Sequence, residues 1–273
     1  MARRLKLLTG LSTLALSGAL ALSACGGEGE AEGAEGEGAR VLAASSEGEG
    51  AEGEGGEGEG ESEGAASADP VTDDVEYLKR LGLVRGHLVA FIELTRAGAP
   101  DAAATHAKHP QSELYADLIP AFEARGKKGF ADALDALNDA AASGADVEAA
   151  YAAAKDAIRA TAPKTSNRNE LLAIAGLVRT AAEEFAIGVG EDGEISNAHE
   201  YQDAYGFVTV AGQFLDSLST EDKAEADAIA FAKEQVEGLS AAFPGWRAER
   251  TDGETSLLFG AAARIEIAAL GLS

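Results

Sequence analysis

Between Gly26 and Gly64 the chain holds thirteen glutamates, one arginine and otherwise almost only Gly, Ala and Ser. A stretch so poor in large apolar side chains cannot build a core. Any fold is therefore confined to about 205 residues from Asp69 onward, enough for one sizeable core or two small ones. Residues 25–68 read as a tether, and a flexible chain of about 43 residues spans roughly 35 Å, more once its glutamates repel one another.

Within residues 69–273 nearly every segment is patterned for helix. Alanine is abundant, and apolar residues recur three and four apart, as in Leu81, Val84, Leu88, Phe91 and Ile92. The reading is all-α, a helical bundle. Thr72, with Asp73 and Asp74 in the first turn, opens a helix to about Ala97. A short helix from Asp101 is expected to stop near His109, because Pro110 disfavours a helical residue before it. Pro110 then starts a helix to Arg125, and further helices cover about 130–143 and 146–161. A second series begins at Asn167, with Glu170 completing a capping box. It continues from Asn197, with Glu200 in the same capping role, then from Ser219 to Ala242 and from Ser256 to Leu270.

The two series share strings. Gly82-Leu83-Val84-Arg85 recurs as Gly176-Leu177-Val178-Arg179, and Glu113-Leu114-Tyr115-Ala116-Asp117 has a counterpart in Glu200-Tyr201-Gln202-Asp203. This suggests two pseudo-symmetric four-helix halves, 69–163 and 164–273. The alternative is chance similarity between Ala- and Leu-rich helices.

The N-terminus predicts export. Arg3, Arg4 and Lys6 precede an apolar run from Leu7 to Leu22, and Leu22-Ser23-Ala24-Cys25 resembles the bacterial lipobox, which makes residues 1–24 a signal peptide. The run is too short and too diluted for a permanent span of about 20 apolar residues. The lipobox resemblance implies acyl chains on Cys25, a membrane attachment, and a cell-envelope location, at the outer membrane or cell surface. Cys25 is the only cysteine, so disulfides, zinc–thiolate sites and cysteine nucleophiles are excluded.

The net charge is −25, of which residues after Gly64 carry −16. Such a surface repels phosphate backbones, so nucleic acid is not a partner, whereas cations are favoured. The four histidines, His87, His106, His109 and His199, all lie outside the tether. Imidazole and carboxylate are the ligands that iron, copper and zinc accept when thiolates are absent. The only methionine is Met1, which removes a thioether site. His106 and His109, an i, i+3 pair, with Glu113 are the first candidates for metal ligands; His87, His199 and Glu200 are the second. Each also has a structural reading: His87 as a core histidine, His106 and His109 as helix decoration, His199 as exposed, Glu200 as a cap. No phosphate-binding loop, nucleophile elbow or EF-hand spacing is present, and no residue is assigned a catalytic role. Arg179 and Glu183 or Glu184 are expected to pair within their helix.

Gly193-Glu194-Ile195-Ser196-Asn197-Ala198-His199-Glu200-Tyr201 resembles a segment of the extracytoplasmic helical domains attached to bacterial high-affinity iron permeases. The Gly86-His87 step in the first long helix is distantly similar to imelysin-like iron-uptake lipoproteins, although their Gly-x-His-x-x-Glu pattern is not reproduced. The permease's own Arg-Glu-x-x-Glu motif and membrane spans are missing, so the resemblance implies a partner of an iron permease and not the permease. The combined expectation is a lipid-anchored bundle that binds a transition-metal cation, iron ahead of copper or zinc, in uptake or storage. Its alternative is a structural or interaction lipoprotein with an acidic bundle and no metal; a metal-dependent oxidase is a minor third.

Overall fold

The computed structural model describes residues 68–273; the segment expected to be a signal peptide, Cys25 and nearly all of the Gly/Glu stretch expected to be a tether lie outside the described residues. Local sequence sets most of the helix ends. Asp73 is the cap of α1 (Asp74–Arg96) and not part of its first turn, because its Oδ1 accepts from the amides of Val75 and Glu76. Asp146 caps α5 (Val147–Thr161) and Asp222 caps α8 (Lys223–Glu237) in the same manner. Gly144, at φ 69°, closes α4 (Ala131–Ser143).

Other expected boundaries differ, among them the start of α8, which follows Asp222 and not Ser219. The chain does not leave the helix at His109. α2 (Pro100–His109) runs through a wide π turn (Pro110–Leu114) into α3 (Tyr115–Ala124), with the Tyr115 amide donating to the Pro110 carbonyl. Proline lacks an N–H and crowds the preceding turn, and a widened turn tolerates both. The cap of α6 (Asn167–Gly188) is Ser166, whose Oγ accepts from Asn169 N; Asn167 instead donates to Glu225 at 2.6 Å. The remaining helices are α7 (Ala198–Ser217) and α9 (Thr255–Leu270), and a 3₁₀ turn at Gly238–Ala242 follows α8. Among the described residues, β structure is limited to two isolated bridges, Val189 with Ile195 and Glu194 with Arg250. No helix among them is long and apolar enough to cross a membrane.

The protein is an all-α helical bundle. In residues 74–161, α1 packs on α2, α2 on α4, α4 on α5, and α5 returns to α1; α6, α7, α8 and α9 repeat this order of neighbours. The repeated Gly-Leu-Val-Arg strings meet each other: the space a side chain on Gly82 would need is taken by Leu177, and that of Gly176 by the stem of Lys79. Tyr115 and Tyr201 also match, each set in an aromatic cluster and each hydrogen-bonded to later backbone: the Tyr115 hydroxyl accepts from Ala131 N at the start of α4, and that of Tyr201 donates to Gly245 O. The two sets of helices nevertheless share one apolar core, because α1 packs across both α6 and α7. Arg179 takes part in this packing differently from expectation, pairing with Glu266 of α9.

Candidate metal centre

α1 and α7 cross where both lack side chains. A Cβ on Gly206 would overlap the Gly86 carbonyl oxygen, and one on Gly86 would overlap the Phe207 ring. Only glycine at both positions permits this approach. His87 follows Gly86, and Asp203 stands one turn before Gly206 on α7, so the crossing presses the imidazole onto the carboxylate. His87 Nδ1 is 2.6 Å from Asp203 Oδ1. The ring also meets Phe207 edge-to-face, at 5.2 Å between centroids.

The segment leading into α7 is fixed by a tight turn. Gly193 has φ 80° and lies against the Thr251 carbonyl, leaving no room for a side chain, while Asn197 donates its amide to Gly188 O and caps α7 through His199 N. Glu200 therefore does not complete a capping box. It turns toward His199, with 3.8 Å between His199 Nδ1 and Glu200 Oε1.

All four histidines gather around Asp203. His106 Nδ1 lies 2.9 Å from Asp203 Oδ1, and His199 Nδ1 lies 3.6 Å from Oδ2. His109 completes the set, with its ring centroid 5.8 Å from that of His87 and 4.5 Å from that of His199. Two groups of three have ligand atoms within 4.8 Å of one another: His87, His106 and Asp203, and His109, His199 and Asp203. The i, i+3 pair His106 and His109 is thus divided between the groups. His106 is fully buried and Asp203 is 2 % exposed, whereas His109 and His199 are half-buried. The side chain of Glu113 lies outside the described residues; its backbone belongs to the π turn.

The protonation pattern at His106 follows from its neighbours. Gln202 Nε2 donates to the Trp246 carbonyl at 3.0 Å, which fixes the amide so that Oε1 faces His106 Nε2 at 2.9 Å. Nε2 must then carry a proton. Nδ1, facing a carboxylate, either carries a second proton or offers a lone pair to a cation beside Asp203. A ligating histidine that donates its other N–H to a fixed acceptor is the usual support of a metal site. His87 Nδ1 is buried and makes no well-directed hydrogen bond despite its closeness to Asp203.

Burial would push the Asp203 carboxyl up, but the charge of His87 and the hydrogen bond from His106 overcome it and hold the carboxyl well below the usual range. The Glu200 carboxyl is brought down to about 2, chiefly by His199, against the opposing effect of burial. Both acids are carboxylates at neutral pH. Gln202 also lines an open cleft of about 440 Å³, together with Leu94, Asp101 and Arg247.

Asp203 and Gln202 were not among the candidates from sequence. The signal was present: Asp203 is four residues from His199, one helical turn along the same face. The opposing elements supply His87, His106 and His109, and no local pattern announces that they meet Asp203.

Residues 162–266 match the family of iron permease-associated 4-helix bundle domains. The match spans α6 to α8 and most of α9, with His199, Glu200, Gln202 and Asp203, and leaves His87, His106 and His109 outside it. Comparisons with curated proteins and with solved structures gave no match.

Proposed function

We propose, starting from the likeness of residues 162–266 to an iron permease-associated bundle, that this protein binds a transition-metal cation as cargo at the four-histidine cluster around Asp203. The convergence of four imidazoles on one buried carboxylate carries the reading. A fully buried histidine with both ring nitrogens facing oxygen, beside a second whose Nδ1 lacks a directed hydrogen bond, is costly for an apolar core and suited to an ion. Nitrogen and oxygen donors without sulfur suit ferrous iron, copper(II) or zinc, and the family context favours iron. The acidic surface adds attraction for cations.

In this reading Cys25 carries the lipid, the Gly/Glu segment spaces the bundle from the membrane, and an iron permease at the envelope receives the ion. Cys25→Ala should abolish incorporation of a labelled fatty acid and release the protein from the membrane fraction.

The central test is calorimetric titration of the chain with ferrous, ferric, cupric and zinc ions. Binding at about 1 µM or tighter is expected for at least one of them, and Asp203→Asn and the double variant His106→Ala, His109→Ala should lose it. Affinity unchanged in both variants rejects the site.

A further inference from the structure

We infer that the cluster holds two cations bridged by Asp203; this rests on the metal-binding reading above and extends it to stoichiometry. The two carboxylate oxygens face different partners. Oδ1 is turned to His87 Nδ1 and His106 Nδ1, at 2.6 and 2.9 Å, and Oδ2 is turned to His199 Nδ1 at 3.6 Å, with His109 in the same group.

Ring geometry separates the groups. The His106 and His199 rings are stacked, 4.4 Å between centroids and 12° between planes. An imidazole lone pair lies in the plane of its ring. Two parallel rings one above the other direct their lone pairs into two parallel planes, so a single ion cannot lie in both. Within each group the planes do intersect: His87 and His106 are inclined at 33°, and His109 and His199 at 66°. Each pair can therefore converge on its own ion.

Charge and donors favour the arrangement. The inner position takes His87, His106 and Oδ1, and Gln202 holds the far nitrogen of His106. The outer position takes His109, His199 and Oδ2, with Glu200 beside His199 as a second carboxylate. A bridging carboxylate sets two ions at about the 3.5–4 Å separation typical of paired metal sites. The inner position is buried and the outer one half-exposed, so the outer ion should exchange first.

The test uses the full chain in detergent. Titration with ferrous ion under anaerobic conditions, followed by removal of free metal and elemental analysis, should give two ions per chain. The variant His87→Ala, His106→Ala and the variant His109→Ala, His199→Ala should each keep one. A measurement on the unaltered protein does not depend on the variants folding: loaded with copper(II), a bridged pair gives a spin-coupled resonance spectrum with a half-field transition, and isolated ions give an uncoupled one. One ion per chain, uncoupled and lost in either variant, overturns the bridged pair while leaving a single-ion site. Two ions that persist in both variants also overturn it. No bound ion overturns this inference and the metal-binding reading together.

Discussion

Gln202 decides which nitrogen of His106 is available, because its amide is locked by the Trp246 carbonyl and leaves only an acceptor facing Nε2. Gln202→Leu removes that acceptor and is expected to weaken metal binding by about 10–100-fold, the usual cost of losing such a support. Gln202→Glu, which keeps an acceptor there, should recover part of it; calorimetric titration of the two variants checks the pair. Tyr201 makes a different prediction at the same scale. Burial pushes its hydroxyl up to about 12 from the ordinary value of 10.0. The folded state thus holds the tyrosine proton more firmly than the unfolded chain. Its contribution to stability is fully present below about pH 10 and is lost as pH rises toward about 12. Tyr77, Tyr151 and Tyr205 are raised by burial as well, so ultraviolet titration should show several late steps accompanied by loss of helicity, and Tyr201→Phe should remove one of them.

The crossing of α1 and α7 is where helix packing becomes site geometry. Gly206→Ala would drive a methyl into the Gly86 carbonyl, and the overpacking is expected to cost about 1–3 kcal/mol in chemical denaturation. Metal affinity should fall as well, since separating the helices moves His87 from Asp203. Gly212, six residues further along α7, has only Val236 at ordinary contact distance, so Gly212→Ala should stabilise the protein by about 0.4–1 kcal/mol and leave metal binding unchanged. Helix existence was legible throughout, because caps, Gly/Pro punctuation and apolar spacing are local signals. The misread boundaries had a choice of neighbours. Ser166 and Asn167 are both competent caps, and whether Pro110 ends a helix or passes through a π turn depends on what the flanking helices pack against. The spacing of Glu200 from Asn197 suits a cap, but its side chain turns to His199 instead.

For the whole molecule, the shared core predicts one cooperative transition for the helical part, with helicity and tyrosine environment lost together in urea. A fragment of residues 162–273, containing the whole family match, should lack fixed tertiary packing and bind metal far more weakly than the full chain. It loses α1, which covers α6 and α7, and three of the four histidines. Near-ultraviolet circular dichroism and metal titration of the fragment check both statements. The sequence by itself determined that the chain is helical, that its donors are nitrogen and oxygen without sulfur, and that His87, His106, His109, His199 and Glu200 were worth suspecting, because periodicity, capping and composition are properties of short segments. Tertiary structure decided that the histidines meet, that Asp203 stands between them and that they divide into two pairs. Those facts depend on contacts remote in sequence: His106 reaches Asp203 across 97 positions, and His87 reaches it because two helices bare of side chains at Gly86 and Gly206 can touch.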